Sequence, residues 1–93
     1  MIKITSIMHM KQPLVTVYGR NGCHLCESVM NQLQAVQLSL DFQLQEILID
    51  GNLELEALYG QLIPVIHIDG KYFAHFRLDL EEFKTFLEKH RQR

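Results

Sequence analysis

The chain has 93 residues, enough for one domain with its own core and no metal or disulfide staple. A net charge of −2 makes nucleic acid or an anionic membrane a poor main partner. The apolar share of 47% is that of a globular protein, and two cysteines in a single short motif do not make a secreted disulfide framework.

Residues 1–12 read as an N-terminal arm or a short extra strand, ahead of a domain over residues 13–93. The first residues lack a sustained apolar segment and a cleavage signal, and no apolar run approaches about 18 residues. The cytoplasm, where thiols stay mostly reduced, is the expected location, and a monomer the expected state.

Leu14 to Tyr18 is apolar and β-branched, a buried strand. Gly19-Arg20-Asn21-Gly22 is a turn cluster. From Cys23 to about Ser39, apolar side chains recur at Leu25, Val29, Leu33, Val36 and Leu40, one face of a helix. Phe42 to Ile49 is a second strand, and its alternation with Gln43 and Gln45 leaves one face partly wet, as at a sheet edge. Leu53 to Tyr59 is a short helix that Gly60 ends through the left-handed conformation. Pro64 to Ile68 and Lys71 to His75 are strands joined by Asp69-Gly70, a hairpin signal of the type I′ turn. Asp79 caps a last helix with Leu80, Phe83 and Leu87 on its inner face, and Lys89, His90 and Arg91 suit its C-terminal end. Phe73, Phe76, Phe83 and Phe86 are expected in the core, and His67 is expected to be structural. The order β-α-β-α-β-β-α gives a four-stranded mixed α/β sheet with a right-handed parallel crossover and helices on both faces.

Cys23-His24-Leu25-Cys26 carries the chemistry. A bond across so short a loop stabilises a fold by only roughly 2 kcal/mol, so the pair is kept for its reactivity. The nucleophile must be a thiolate, and the first turn of a helix lowers a cysteine pKa through its unpaired N–H groups. Cys23 stands at that turn and faces solvent; Cys26 lies one turn further in. Cys23 therefore attacks and Cys26 resolves.

With these residues on hand, the chain resembles the thioredoxin superfamily, and within it the small glutaredoxin-like proteins, over about residues 14 to 90. The resemblance rests on C-x-x-C after the first strand, Ile63-Pro64 opening the third, and Asp69-Gly70 joining the last two. It implies the thioredoxin-like fold, a cis Ile63–Pro64 peptide beside the cysteines, and thiol–disulfide oxidoreductase activity on a disulfide-containing protein or small thiol. It implies no tightly bound cofactor, with glutathione as a candidate reductant. Glutathione-linked members carry Pro-Tyr between the cysteines and a Gly-Gly turn before the last helix; here those places hold His24-Leu25 and the glycine-free stretch Ala74 to Asp79. Both a glutathione-linked and a protein-linked electron source stay open.

Around the pair, Ile63 offers its backbone to an extended substrate and Pro64 shapes the surface beside Cys23. His24 either stabilises the thiolate as an imidazolium or points into water. Arg20 either attracts a substrate carboxylate or is a solvated loop charge, and Tyr18 either edges the substrate groove or simply packs. Two other functions compete: a redox-inactive interaction domain, and a metal or cluster module, for which Cys23 and Cys26 would supply two of the usual four ligands.

Overall fold

The computed structural model describes residues 12–91. The expected arm or strand at residues 1–12 therefore falls outside the described residues except for Gln12, which lies in no element. The elements are β1 (Leu14–Gly19), α1 (His24–Val36), β2 (Gln43–Leu48), α2 (Leu53–Tyr59), β3 (Val65–Ile68), β4 (Lys71–His75) and α3 (Leu80–Arg91). The sheet order is β2-β1-β3-β4, with β1 and β2 parallel and the other two pairings antiparallel. This is the expected thioredoxin-like arrangement, and β2 is an edge strand, as its wet alternation implied.

One face of the sheet makes the core. Val15 and Val17 of β1 and Ile66 and Ile68 of β3 share that face by register. Val29, Leu33 and Val36 of α1 and Phe83 and Leu87 of α3 close over them, and all are buried. Phe42 enters from the start of β2, its ring edge-on to Phe83 at 5.4 Å. Contiguous apolar packing of this kind supplies most of a small domain's stability.

The opposite face is different. It presents Thr16, Tyr18 and His67, and α2 lies against it through Tyr59, whose ring is 4.7 Å from Tyr18 and 5.7 Å from His67. No residue of α2 itself is buried. Its start is fixed by Asn52, whose side-chain oxygen accepts the Leu55 N–H at 3.0 Å.

Several expectations need correction. The buried stripe of α1 begins with Cys26, not Leu25: Cys26, Val29, Leu33 and Val36 are buried, and Leu25 is 49% exposed. Steps of three and four from Val29 backwards reach both positions, and the sheet accepts the smaller sulfur. Gly60 ends α2 in right-handed geometry, φ −53°. It is needed for close approach instead, because a β-carbon there would stand 2.5 Å from the Glu56 carbonyl oxygen. Of the four phenylalanines, Phe83 is core and Phe73 packs on its margin, but Phe76 and Phe86 are 43% and 41% exposed. Near the end of α3, His90 turns to Asp69 at 2.6 Å.

Asp69 and Gly70 both have positive φ, 52° and 82°, as the type I′ turn requires. Asp79 caps α3, accepting the Glu82 N–H at 3.1 Å.

Candidate active site

The site stands where β1 runs into α1. Gly22, with φ 75°, lets the chain reverse so that the Cys23 N–H reaches the Arg20 carbonyl at 3.2 Å. Cys23 then holds extended geometry, φ −91° and ψ 110°, and is the N-cap of α1. Its own carbonyl accepts the first helical bond, from Glu27 N–H at 3.0 Å. Its sulfur takes the part that a serine or aspartate oxygen usually plays at this position, accepting the Cys26 N–H at 3.1 Å.

Cys23 and Cys26 form a disulfide, their Cα atoms 5.2 Å apart. The two sulfurs sit in unlike surroundings: Cys23 is half-buried at the surface, Cys26 is 1% exposed. Gly19 makes room for the second one. A β-carbon on Gly19 would lie 3.1 Å from both the Cβ and the Sγ of Cys26. The same point is 3.6 Å from Oε2 of Glu46, so a carboxylate shares the space over Gly19 with the inner cysteine.

Glu46 was not among the expected site residues. The signal for it lies in β2: Phe42 and Leu44 point toward the core, and Glu46 continues their period-two row with a charge. Sheet pairing, which aligns Glu46 with Val17, then carries it to the cysteine end.

The third strand meets the pair at the same end. Tyr18 pairs with Val65, so one step further Pro64 lies across from Gly19. The Ile63–Pro64 peptide is cis and Pro64 is fully buried. Ile63 is half-buried in no element, and its backbone groups make no hydrogen bond among the described residues. His24 points into solvent, 97% exposed, with only Glu27 nearby at 3.8 Å.

Two expected residues are engaged elsewhere. The Arg20 guanidinium is paired with Glu56 of α2 at 2.8 Å and reaches the Gly60 carbonyl at 3.4 Å. Tyr18 lies in the aromatic cluster on the α2 face, against Tyr59 and 5.1 Å from His67. In that cluster burial pushes the His67 pKa down, against a hydrogen bond with the Gly70 backbone that pushes it up. Burial, then the neighbouring Tyr18, raises that of Tyr59. Among the described residues no group of three or more His, Cys, Asp or Glu could hold a metal ion, and no helix is long and apolar enough to cross a membrane.

A mixed four-stranded sheet with a C-x-x-C pair at the start of its first helix defines a thioredoxin-fold protein of redox type. Solved structures share the fold. Protein Ne2328 from Nitrosomonas europaea is 37% identical with a TM-score of 0.74, over 83% of this chain and 93% of that one. A mutant thioredoxin from Halobacterium salinarum, 16% identical, shares the fold with a TM-score of 0.62 over 96% of this chain and 83% of its own. The Glutaredoxin-like domain (DUF836) model matches residues 14–88, and the chain belongs to that family. An uncharacterized protein of Mycobacterium tuberculosis is 32% identical over 75 residues, 75% of this chain and 77% of that protein.

Proposed function

We propose that the protein is a thiol–disulfide oxidoreductase that reduces disulfides of proteins or of small thiols with the Cys23/Cys26 dithiol. The observation that carries this reading is the asymmetry of the pair. The Cys23 sulfur receives a backbone N–H at a helix start, while the Cys26 sulfur is shut from water. The first surrounding favours a thiolate at the surface, and the second suits a thiol that acts only within the protein.

In the reduced protein the Cys23 thiolate attacks one sulfur of a substrate disulfide. The substrate's S–S bond breaks, a mixed disulfide forms on Cys23, and the leaving sulfur departs as a thiolate that takes a proton from water. Cys26 then loses its proton to Glu46, whose carboxylate shares the space over Gly19 with it, and attacks Cys23. The mixed disulfide breaks, the second substrate sulfur leaves, and the substrate has gained two electrons as the protein's disulfide closes. An extended substrate lies along the open backbone of Ile63. A reducing thiol, glutathione or a protein dithiol, returns the pair to its starting state. On this reading the protein works as a monomer in the cytoplasm, with no tightly bound cofactor.

A Cys26→Ser variant tests the mechanism, because it stops after the first step. Partners are expected to accumulate on Cys23 as adducts that vanish on adding a reductant. If no adduct forms in cells, and the wild-type dithiol leaves a model disulfide intact, the reading fails and a redox-inactive domain takes its place.

A further inference from the structure

Two residues other than glycine have positive φ among the described residues, and only one is explained by its own turn. Asp69 occupies a type I′ position, where a short polar side chain is at home. Phe76 has φ 68°, a region in which a bulky aromatic is a rare outlier. Its N–H donates to the Pro64 carbonyl at 2.8 Å, which ties that backbone to the cis-proline. Glycine would adopt the same geometry without cost. Nor does burial compensate: the ring is 43% exposed, and its one ring partner among the described residues is the neighbouring His75 at 4.6 Å.

The register explains where this ring stands. His75 pairs with Val65 and Val65 with Tyr18, so Phe76, Pro64 and Gly19 fall in one row across three strands. Cys26 packs on the Gly19 end of that row. Leu25, between the cysteines, is 49% exposed. Leu48, which pairs with Gly19 on the other side, is 43% exposed, so the cysteine end of the sheet shows three exposed large apolar side chains, of which only Phe76 is held in an unfavourable backbone state. The Arg20 guanidinium, which could have met an anionic ligand there, is occupied by Glu56.

We infer that Phe76 is a specificity residue that receives an apolar side chain beside the substrate cysteine, so that the preferred substrate is a disulfide in an extended peptide with an apolar or aromatic neighbour. This rests on the thiol–disulfide reading above. Backbone cost without burial is what a residue kept for contact with a partner looks like. Arg77 follows with its side chain exposed, and a preference for the acidic tripeptide disulfide of glutathione would be its signature instead.

The test uses the wild-type dithiol and three disulfides: a peptide with phenylalanine next to its cysteine, the same peptide with serine there, and glutathione disulfide. The phenylalanine peptide is expected to react about tenfold faster than the serine peptide, from burial of the apolar contact. In Phe76→Gly the ratio should fall to near one while the melting temperature rises by a few degrees, since the strained φ is relieved. Phe76→Leu should keep most of the preference. A wild-type ratio near one, a glutathione rate at or above that of the phenylalanine peptide, or an undiminished ratio in Phe76→Gly overturns the assignment. A wild-type protein that reduces none of the three overturns the underlying oxidoreductase reading as well.

Discussion

The two faces of the sheet are held by different forces. On the α1/α3 face, Val17, Leu33, Ile66, Phe83 and Leu87 leave no surface to water. On the α2 face the contacts are Tyr59 on Tyr18 and His67, the Arg20–Glu56 pair, and the Asn52 cap. The first is an apolar core, the second a polar and aromatic attachment. The disulfide belongs to the first through Cys26, while the turn before it is tied to the second through Arg20. The site therefore has a rigid floor and a more easily loosened flank.

The sharpest way to break this contrast is to cut into each face. Phe83→Ala should cost about 3–5 kcal/mol, the range for emptying a fully buried aromatic position. Tyr59→Phe removes only a 3.3 Å hydrogen bond to His67 Nε2 and should cost about 1 kcal/mol or less. Urea unfolding of both variants reads the difference. Equal costs would mean that α2 also covers a true core.

Next in size is Gly19→Ala, which tests how tightly the floor fits under Cys26. The added methyl would press on the Cβ and Sγ of Cys26 at 3.1 Å, and crowding of this kind costs about 1–3 kcal/mol. Because the Cys26 sulfur is one of the crowded atoms, the variant should also slow closure of the disulfide in a stopped reaction. Glu46→Gln should leave the backbone alone and slow the same closing step by roughly tenfold or more, as loss of a general base does. If Glu46→Gln closes at the wild-type rate, the proton leaves Cys26 by another route.

Much of this was legible in the sequence because the signals were local. Asp69-Gly70 specifies its hairpin, Asp79 its helix start, and the Val29-Leu33-Val36 steps the buried stripe of α1. C-x-x-C after an apolar run places both sulfurs at a helix N-terminus before any fold is known. What was not legible depends on contacts between residues far apart in the chain. Arg20 finds Glu56 36 residues away, and nothing near Arg20 in the chain announces it. Glu46 comes to the space over Gly19, where Cys26 packs, only because the parallel register sets it beside Val17. Residue type alone places Phe76 in the core; its left-handed backbone is imposed where β4 ends against Pro64, and no glycine or asparagine marks the spot.

The α2 face should also be the pH-sensitive one. Burial among Tyr18, Tyr59 and Tyr72 outweighs the hydrogen bond with the Gly70 backbone and sets the folded pKa of His67 below the ordinary value of about 6.5. Between the folded and unfolded values the unfolded chain binds the extra proton. Stability then rises with pH through that window, is complete above about 6.5, and is lost as pH falls toward the folded pKa. His67→Gln should flatten this part of the profile in urea melts taken from pH 7.5 down to 5. A slope that survives the substitution would move the effect to another group.

The smallest effect belongs to the flank itself. Arg20 and Glu56 are each about a third exposed, so solvent screens the pair, and Arg20→Ala should cost about 1 kcal/mol or less in global stability. Its consequence should instead be local. With no buried residue of its own, α2 depends on such ties, and elements of that kind open separately from the core. Amide exchange in Leu53–Tyr59 should therefore quicken in Arg20→Ala while exchange in the Val29–Leu33 segment stays slow. Salt should reproduce the change in the wild type, since it screens the ion pair and leaves apolar burial in place. Equal acceleration in both helices would mean that the two faces open as one, and the division between floor and flank would not hold.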